Sequence, residues 1–327
     1  MKTPDFWWHP DPEWKARALT PLSYIYEGAR RIDQSLKKLR HNAHAPRPST
    51  VICIGNALAG GAGKTPVAEA LARVLASQGP SGILMRGYKG RLNGPLKVDP
   101  DLHTYEDVGD EALMLAQTLP RDVGVYVAGN RMAGLSLMHH QGLRFAVLDD
   151  GYQNPSISKD YHILVWDGAV GAGNGRVLPA GPLRAPLAQT LAAADIVLSY
   201  AGPFQPPPPC ADRTFPLQIV PQSLPKEDQP LLAFAGIGRP QKFFDFLTEH
   251  GYSLAGAQNF PDHYAYTEKD LTALQARARQ NKARLVTTQK DYVRLTADWR
   301  KEIDCVSIAA EPADEAGWKN ILKKLGA

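Results

Sequence analysis

Apolar residues fall along this chain in two alternating patterns. Short unbroken runs at 51–54, 83–85, 123–127, 145–148, 162–166 and 196–199 predict buried strands, and stretches such as 67–77 and 111–118, with apolar positions at three- and four-residue steps, predict helices between them. Runs that are apolar on both faces of a strand, separated by helices, predict an α/β fold with a parallel sheet covered by helices on both sides. The same alternation returns with strands at 231–235, 254–258, 285–288 and 306–309 and helices at 242–250, 268–280 and about 314–325. Between the two blocks, Gly202-Pro203-Phe204-Gln205 followed by four prolines reads as a stiff extended spacer. The expected organisation is a larger α/β domain over 49–202, a Pro-rich linker over 203–230 and a smaller α/β domain over 231–327. No internal repeat is evident.

The first 48 residues follow neither pattern. Thr20-Pro21 reads as an N-cap followed by proline in the first turn. Leu22, Ile25, Tyr26, Ala29, Ile32, Leu36 and Leu39 then mark one apolar face with basic residues opposite. Phe6-Trp7-Trp8 and Trp14 precede it. A basic amphipathic helix led by tryptophans suits a segment lying in a membrane interface. It suits equally a helix packed on its own domain with a solvated basic face.

Charge and composition narrow the classes. The 327 residues are 44% hydrophobic and 21% charged, enough to bury a sizeable core and too apolar for wholesale disorder. A net charge of +4 is too small for a protein that coats nucleic acid, and the excess is local: Lys15 to Arg47 holds eight basic residues against Glu27 and Asp33. Three scattered cysteines, Cys53, Cys210 and Cys305, without metal-ligand spacing predict neither a disulfide framework nor a zinc site, and point to a reducing compartment. No run approaches the roughly 18 apolar residues of a membrane span, and the acidic N-terminus does not read as a signal peptide. A cytosolic chain is expected.

The sharpest chemical signal is Ile54-Gly55-Asn56-Ala57-Leu58-Ala59-Gly60-Gly61-Ala62-Gly63-Lys64-Thr65-Pro66, placed after a strand and before a helix. That context makes it a P-loop, in which backbone N–H groups of Gly60, Gly61, Ala62 and Gly63 converge on phosphate oxygens at a helix N-terminus. Lys64 is placed to reach the β- and γ-phosphates of ATP, and the Thr65 hydroxyl to bind Mg²⁺. The usual first glycine is here Leu58. Phe145-Ala146-Val147-Leu148-Asp149-Asp150 is the matching apolar strand ending in carboxylates, costly to bury unless a cation lies nearby. A P-loop NTPase-like sheet with helices on both faces is therefore expected. Weaker candidates are Tyr88 in Arg86-Gly87-Tyr88, Asp110 and Glu111 opening a helix, Arg131 after a strand, and His263 in a polar loop. Gly171–Gly175 is discounted as a dinucleotide fingerprint, and Thr288-Gln289-Lys290-Asp291 as a guanine reader.

Together these motifs, with Gly173-Asn174-Gly175-Arg176, Leu178-Pro179-Ala180-Gly181-Pro182-Leu183-Arg184 and Phe260-Pro261-Asp262-His263-Tyr264, resemble the tetraacyldisaccharide 4'-kinase family, the lipid A disaccharide kinases of Gram-negative bacteria. The resemblance spans most of the chain. It implies Mg²⁺-dependent transfer of the γ-phosphate of ATP to the 4'-hydroxyl of an acylated glucosamine disaccharide. It also implies peripheral attachment at the cytoplasmic face of the inner membrane, with no nucleic acid and no obligate protein partner. By the same resemblance Asp110 and His263 form a dyad that activates the hydroxyl; since Asp110 lies in the first domain and His263 in the second, catalysis is expected to depend on domain closure. Thr65, Asp149, Asp150 and Glu111 serve the metal, Arg131 the phosphates, and Tyr88, Asn174 and Arg184 the substrate. Two positions depart from the family's usual pattern: Asn154 stands where it commonly has His, and Ala185 where it commonly has Glu. A P-loop switch or carrier ATPase is the competing class; it needs the nucleotide site but no base for an acceptor hydroxyl.

Overall fold

The computed structural model describes residues 4–9, 14–39, 45–60, 63–152, 154–226, 228–314 and 316–327. Its strands are β1 (Thr50–Asn56), β2 (Ser81–Met85), β3 (Leu96–Lys97), β4 (Gly124–Val127), β5 (Phe145–Asp149), β6 (Tyr161–Asp167), β7 (Ile196–Tyr200), β8 (Thr214–Ser223), β9 (Leu231–Ala235), β10 (Leu254–Asn259), β11 (Arg284–Thr288) and β12 (Ile303–Pro312). The helices are α1 (Trp14–Leu39), α2 (Lys64–Ala76), α3 (Tyr105–Val108), α4 (Asp110–Thr118), α5 (Arg131–His140), α6 (Leu187–Ala192), α7 (Pro240–Glu249), α8 (Glu268–Gln280), α9 (Gln289–Tyr292), α10 (Ala297–Glu302) and α11 (Gly317–Lys324).

Among the described residues the strands form one sheet in the order β10-β9-β11-β12-β8-β7-β6-β1-β5-β2-β4-β3. It is parallel throughout except at β3–β4 and β8–β12. The strands of the first block lie where their apolar runs predict, because parallel strands buried on both faces leave no polar alternation. One face of the sheet packs Ile52, Ile54, Ile83 and Val147 against Val67, Leu71 and Leu75 of α2, and the other packs Val51, Cys53 and Leu148 against Leu135 and Met138 of α5.

The interval expected to be a spacer differs. Its last two prolines open a 3₁₀ turn (Pro208–Arg213), followed by β8, which pairs with β7 through Thr214–Leu217 and with β12 through Leu217–Ser223. Each half of β8 is paired on one side only, an edge-like setting in which a strand tolerates prolines such as Pro216 and Pro221. The sheet therefore runs unbroken from one block of elements into the other.

Helix α1 also departs from expectation. It starts at Trp14, so that Thr20 and Pro21 lie inside it. Lys15, Ala16, Arg17, Ala18 and Leu19 favour helix and extend it upstream, and the Thr20 hydroxyl donates to the Ala16 carbonyl at 2.9 Å. The face against the body is the polar one. Ser23 donates to Val177 O (2.8 Å) and accepts from Ala180 N (3.2 Å), Tyr26 reaches Arg184 O, and Arg30 reaches Gln189. The apolar stripe points outward: Trp14, Ile25 and Ile32 are 73%, 68% and 64% exposed, and Leu22 and Leu36 are exposed beside them.

Candidate active site

The phosphate loop hangs between β1 and α2. Asn56 is buried beneath it, donating from Nδ2 to Leu58 O (2.9 Å) and Gly60 O (3.4 Å) while its Oδ1 accepts from Lys64 Nζ (3.1 Å). Gly63, just before the lysine, has φ +73°, a left-handed conformation that suits glycine. Tyr200, at the end of β7, donates its hydroxyl to Gly63 O at 3.0 Å. Gly61 and Ala62 lie outside the described residues.

The departure at Leu58 has a structural reason. Ala59 N donates to Pro182 O (2.7 Å), Arg184 N to Ala57 O (2.9 Å) and Arg184 Nε to Leu58 O (3.0 Å), while Leu58 and Leu183 form a β-bridge and are both buried. The first half of the loop is thus extended and paired, a conformation that a branched residue adopts readily. Its partner is the Pro-Ala-Gly-Pro-Leu-Arg run.

The two carboxylates after β5 occupy different surroundings. Asp149 is buried, its Oδ2 accepts from Thr65 Oγ1 (3.1 Å), and its Oδ1 has no hydrogen-bond partner among the described residues. Burial, reinforced by the charge of Glu111, pushes its carboxyl up to about 7. Asp150, at φ +58°, accepts from Arg184 Nη1 (3.0 Å) and lies 3.8 Å from Lys64 Nζ. Burial would raise it, but Lys64 and Arg184 outweigh that and hold it below the usual carboxylate range.

An orphaned carboxylate oxygen beside a hydroxyl fits a hard divalent cation. Among the described residues no set of three His, Cys, Asp or Glu side chains converges there. The Thr65 hydroxyl and the Asp149 carboxylate suit Mg²⁺, which takes one or two protein ligands and completes its shell with water and phosphate.

The second constellation forms where α4 meets α9 and the loop after β10. Asp110 is buried at the start of α4, and its Oδ2 lies 2.7 Å from His263 Nδ1. His263 itself sits at φ +58°, a strained setting for a residue with a Cβ, held by its N–H on Gly236 O (3.0 Å). Burial would raise Asp110, but the bond to His263 and the charges of Lys290 and Arg294 outweigh it and keep the carboxyl low. Arg294, buried behind the pair, reaches within 3.7 Å of Asp110 Oδ2 and also pairs with Asp291. Lys290 donates to Glu111 Oε1 (3.0 Å), and burial is outweighed by Glu111, Asp110 and Asp262, so its ammonium is held charged. The exposed Tyr88 ring lies 5.1 Å from the imidazole.

The remaining candidates divide. Arg131 opens α5 and donates to Ala128 O (2.6 Å); burial and the neighbouring charge of Arg86 lower its pKa. Asn174 is buried, donating to Phe6 O (3.2 Å) and Ala180 O (2.9 Å) and accepting from Arg176 N (3.1 Å). These bonds tie its amide to the chain around it. Asn154 accepts from Ser156 N and Oγ, and Ala185 is buried. Asn56, Tyr200, Lys290 and Arg294 were not foreseen as site residues. The Gln289-Lys290-Asp291 run offered a signal for one of them, and nothing local marks Arg294 or Tyr200.

Both constellations meet on the first turn of α4: Asp110 faces His263, while the charge of its neighbour Glu111 is felt at Asp149. A phosphate cradle, a cation position and an imidazole–carboxylate pair are thus joined by one helix end. That set can move a phosphoryl group to an acceptor that must lose a proton.

The profile of the tetraacyldisaccharide-1-P 4'-kinase family (LpxK) matches residues 15–326. The tetraacyldisaccharide 4'-kinase of Methylobacterium sp. (strain 4-46) is 42% identical, over 97% of this chain and 95% of its own length. That of Methylobacterium nodulans is 43% identical, over 100% of this chain and 97% of its own. Among solved structures, LpxK from Aquifex aeolicus in complex with ATP is 26% identical, with a TM-score of 0.75 over 95% of this chain and 99% of that one.

Proposed function

The chain belongs to the tetraacyldisaccharide-1-P 4'-kinase family, and we propose that it transfers the γ-phosphoryl of ATP to the 4'-hydroxyl of an acylated glucosamine disaccharide with the following division of labour. Lys64 and the N–H groups of the 60–63 loop hold the phosphates, with Arg131 on their outer side. Thr65 and Asp149 hold Mg²⁺, with Glu111 nearby; the bound ion neutralises charge on the phosphate oxygens. Asp150 keeps Lys64 and Arg184 in register. His263 accepts the hydroxyl proton at Nε2, while Asp110 orients the ring and stabilises its charged form. Tyr88 and Arg184 flank the acceptor.

The observation that carries this reading is the 2.7 Å Asp110–His263 pair, set on the same helix turn as Glu111. A nucleotide-dependent switch has no use for such a pair. In this scheme 49–202 supplies the nucleotide site and 231–327 the histidine. The outward stripe of α1 supports peripheral binding to the cytoplasmic face of the inner membrane, its apolar side chains in the interface and its basic residues near anionic headgroups. No helix of the described residues is long and apolar enough to cross a membrane.

Labelled-phosphate transfer from ATP to a purified lipid A disaccharide precursor tests the activity. The expected product is the 4'-phosphorylated glycolipid. ATP consumption that is indifferent to the glycolipid would count against it.

A further inference from the structure

The ammonium of Lys290 has three N–H groups and three acceptors around it: Glu111 Oε1 at 3.0 Å, Asp262 Oδ1 at 3.4 Å and His263 Nε2 at 3.3 Å. Its side chain is only 17% exposed, so water competes little for those bonds. An ammonium has no lone pair to offer, so His263 Nε2 must be the acceptor in this contact. A carboxylate likewise only accepts, so the ring proton must sit on Nδ1, facing Asp110. The two partners together select one arrangement of the ring, with N–H at Nδ1 toward Asp110 and the Nε2 lone pair directed at Lys290. A proton on Nε2 would point an N–H at an ammonium. The other charged groups around the ring are Asp262, whose Oδ2 lies 3.7 Å from Nε2, and Arg294, which lies behind Asp110; the Tyr88 ring packs beside it.

We propose that Lys290 is a positioning residue for phosphoryl transfer: it keeps Nε2 of His263 free of a proton until the acceptor hydroxyl replaces it there, and it ties the histidine loop to α4 through Glu111. The inference rests on His263 being the proton acceptor. When the sugar arrives, its O–H donates to Nε2 in place of the lysine N–H, and Lys290 keeps Glu111 and Asp262. The hydroxyl oxygen then bonds the γ-phosphorus, its proton passes to Nε2, and the bond from the γ-phosphorus to the bridging oxygen breaks to release ADP. Lys290 supplies no atom to the reaction. It sets the state in which the base waits.

The test uses the full chain with ATP and the disaccharide acceptor. Lys290→Met, which keeps the length and loses the donors, should lower kcat roughly 10- to 100-fold while the KM for ATP stays within about threefold. Lys290→Arg should restore most of the loss, and in a His263→Ala background Lys290→Met should have almost no further effect, because residues that act through one another are non-additive. Nitrogen-15 spectra of histidine-labelled, unaltered protein at neutral pH should show His263 protonated at Nδ1 and bare at Nε2, a readout that stands even if a variant fails to fold. A Lys290→Met enzyme with kcat within about twofold of wild type, an equal fold-loss in both backgrounds, or a proton on Nε2 would each overturn the proposal. An active His263→Ala enzyme would instead overturn the assignment of the base, so the two failures are distinct.

Discussion

Asp149 and Asp150 are consecutive in the chain, yet their surroundings drive their carboxyls in opposite directions. Asp149 is buried, has one oxygen unpartnered among the described residues and is pushed up to about 7, while Asp150 is held low by Lys64 and Arg184. Among the described residues Asp150 forms ion pairs with two basic side chains and Asp149 with none. The backbone makes this possible by turning through φ +58° at Asp150, which sends the two side chains to different neighbours.

Asp149→Asn should therefore stabilise the metal-free protein at pH 8. The folded Asp149 holds its proton up to about pH 7, whereas an unfolded one releases it near 3.8. The folded state thus binds the extra proton, and this group costs stability increasingly as pH rises from about 4 to 7. The full cost is a few kcal/mol at most, because each tenfold change in proton affinity is worth about 1.4 kcal/mol. Thermal melts in chelator should show the variant above wild type at pH 8 and the gap narrowing toward pH 5. Added Mg²⁺ should raise the wild-type melting point and leave the variant's unchanged. A wild-type protein equally stable at pH 8 and indifferent to Mg²⁺ would refute the cation assignment.

Lys64→Ala should leave the fold intact by circular dichroism and nearly abolish transfer. More than about a tenth of wild-type turnover remaining, a barrier change under roughly 1.4 kcal/mol, would remove Lys64 from the phosphate site.

Asp110→Asn and His263→Ala should each lower kcat by roughly 10²–10⁴ with saturating ATP and glycolipid. The double variant should cost little more than either alone. Strictly multiplicative losses would show that the two side chains act separately.

Ile25→Glu with Ile32→Glu should release the protein from anionic vesicles while shifting the melting point by little, since both side chains already face solvent. Raising salt should weaken vesicle binding of the unaltered chain. Equal partitioning of the two proteins would rule out the stripe as the contact.

Most strands could be read from the chain because a strand buried on both faces is a bare apolar run, as at Leu231–Ala235. β8 escaped because Pro216 and Pro221 look like linker until the half-pairing on each side is known. The start of α1 escaped because Thr20-Pro21 imitates a cap. At the site, Lys64, Thr65, Asp149 and Asp150 stand out in the sequence because the strand–loop–helix and strand-end patterns that carry them are local. Lys290 and Glu111 stand 179 positions apart, and Arg294 meets Asp110 only through tertiary packing. At Asn174 the local pattern, a polar residue among glycines, gives no sign that its amide fastens the N-terminal segment to the loop beside it.

That loop has a consequence for any attempt to separate anchoring from catalysis. On one side, Trp7 Nε1 holds Pro179 O, and Ser23 holds Val177 and Ala180. On the other, the same stretch lies as a bridge along Ala57–Ala59 and sends Arg184 to Asp150. The N-terminal segment and the nucleotide site share one wall. A chain cut back to begin at residue 41 is therefore not the same catalyst without its float. It loses the backing of its own nucleotide cradle, and its inactivity would say nothing about lipid. Substitutions confined to the outward stripe leave the wall standing, so they alone can ask what the surface contributes.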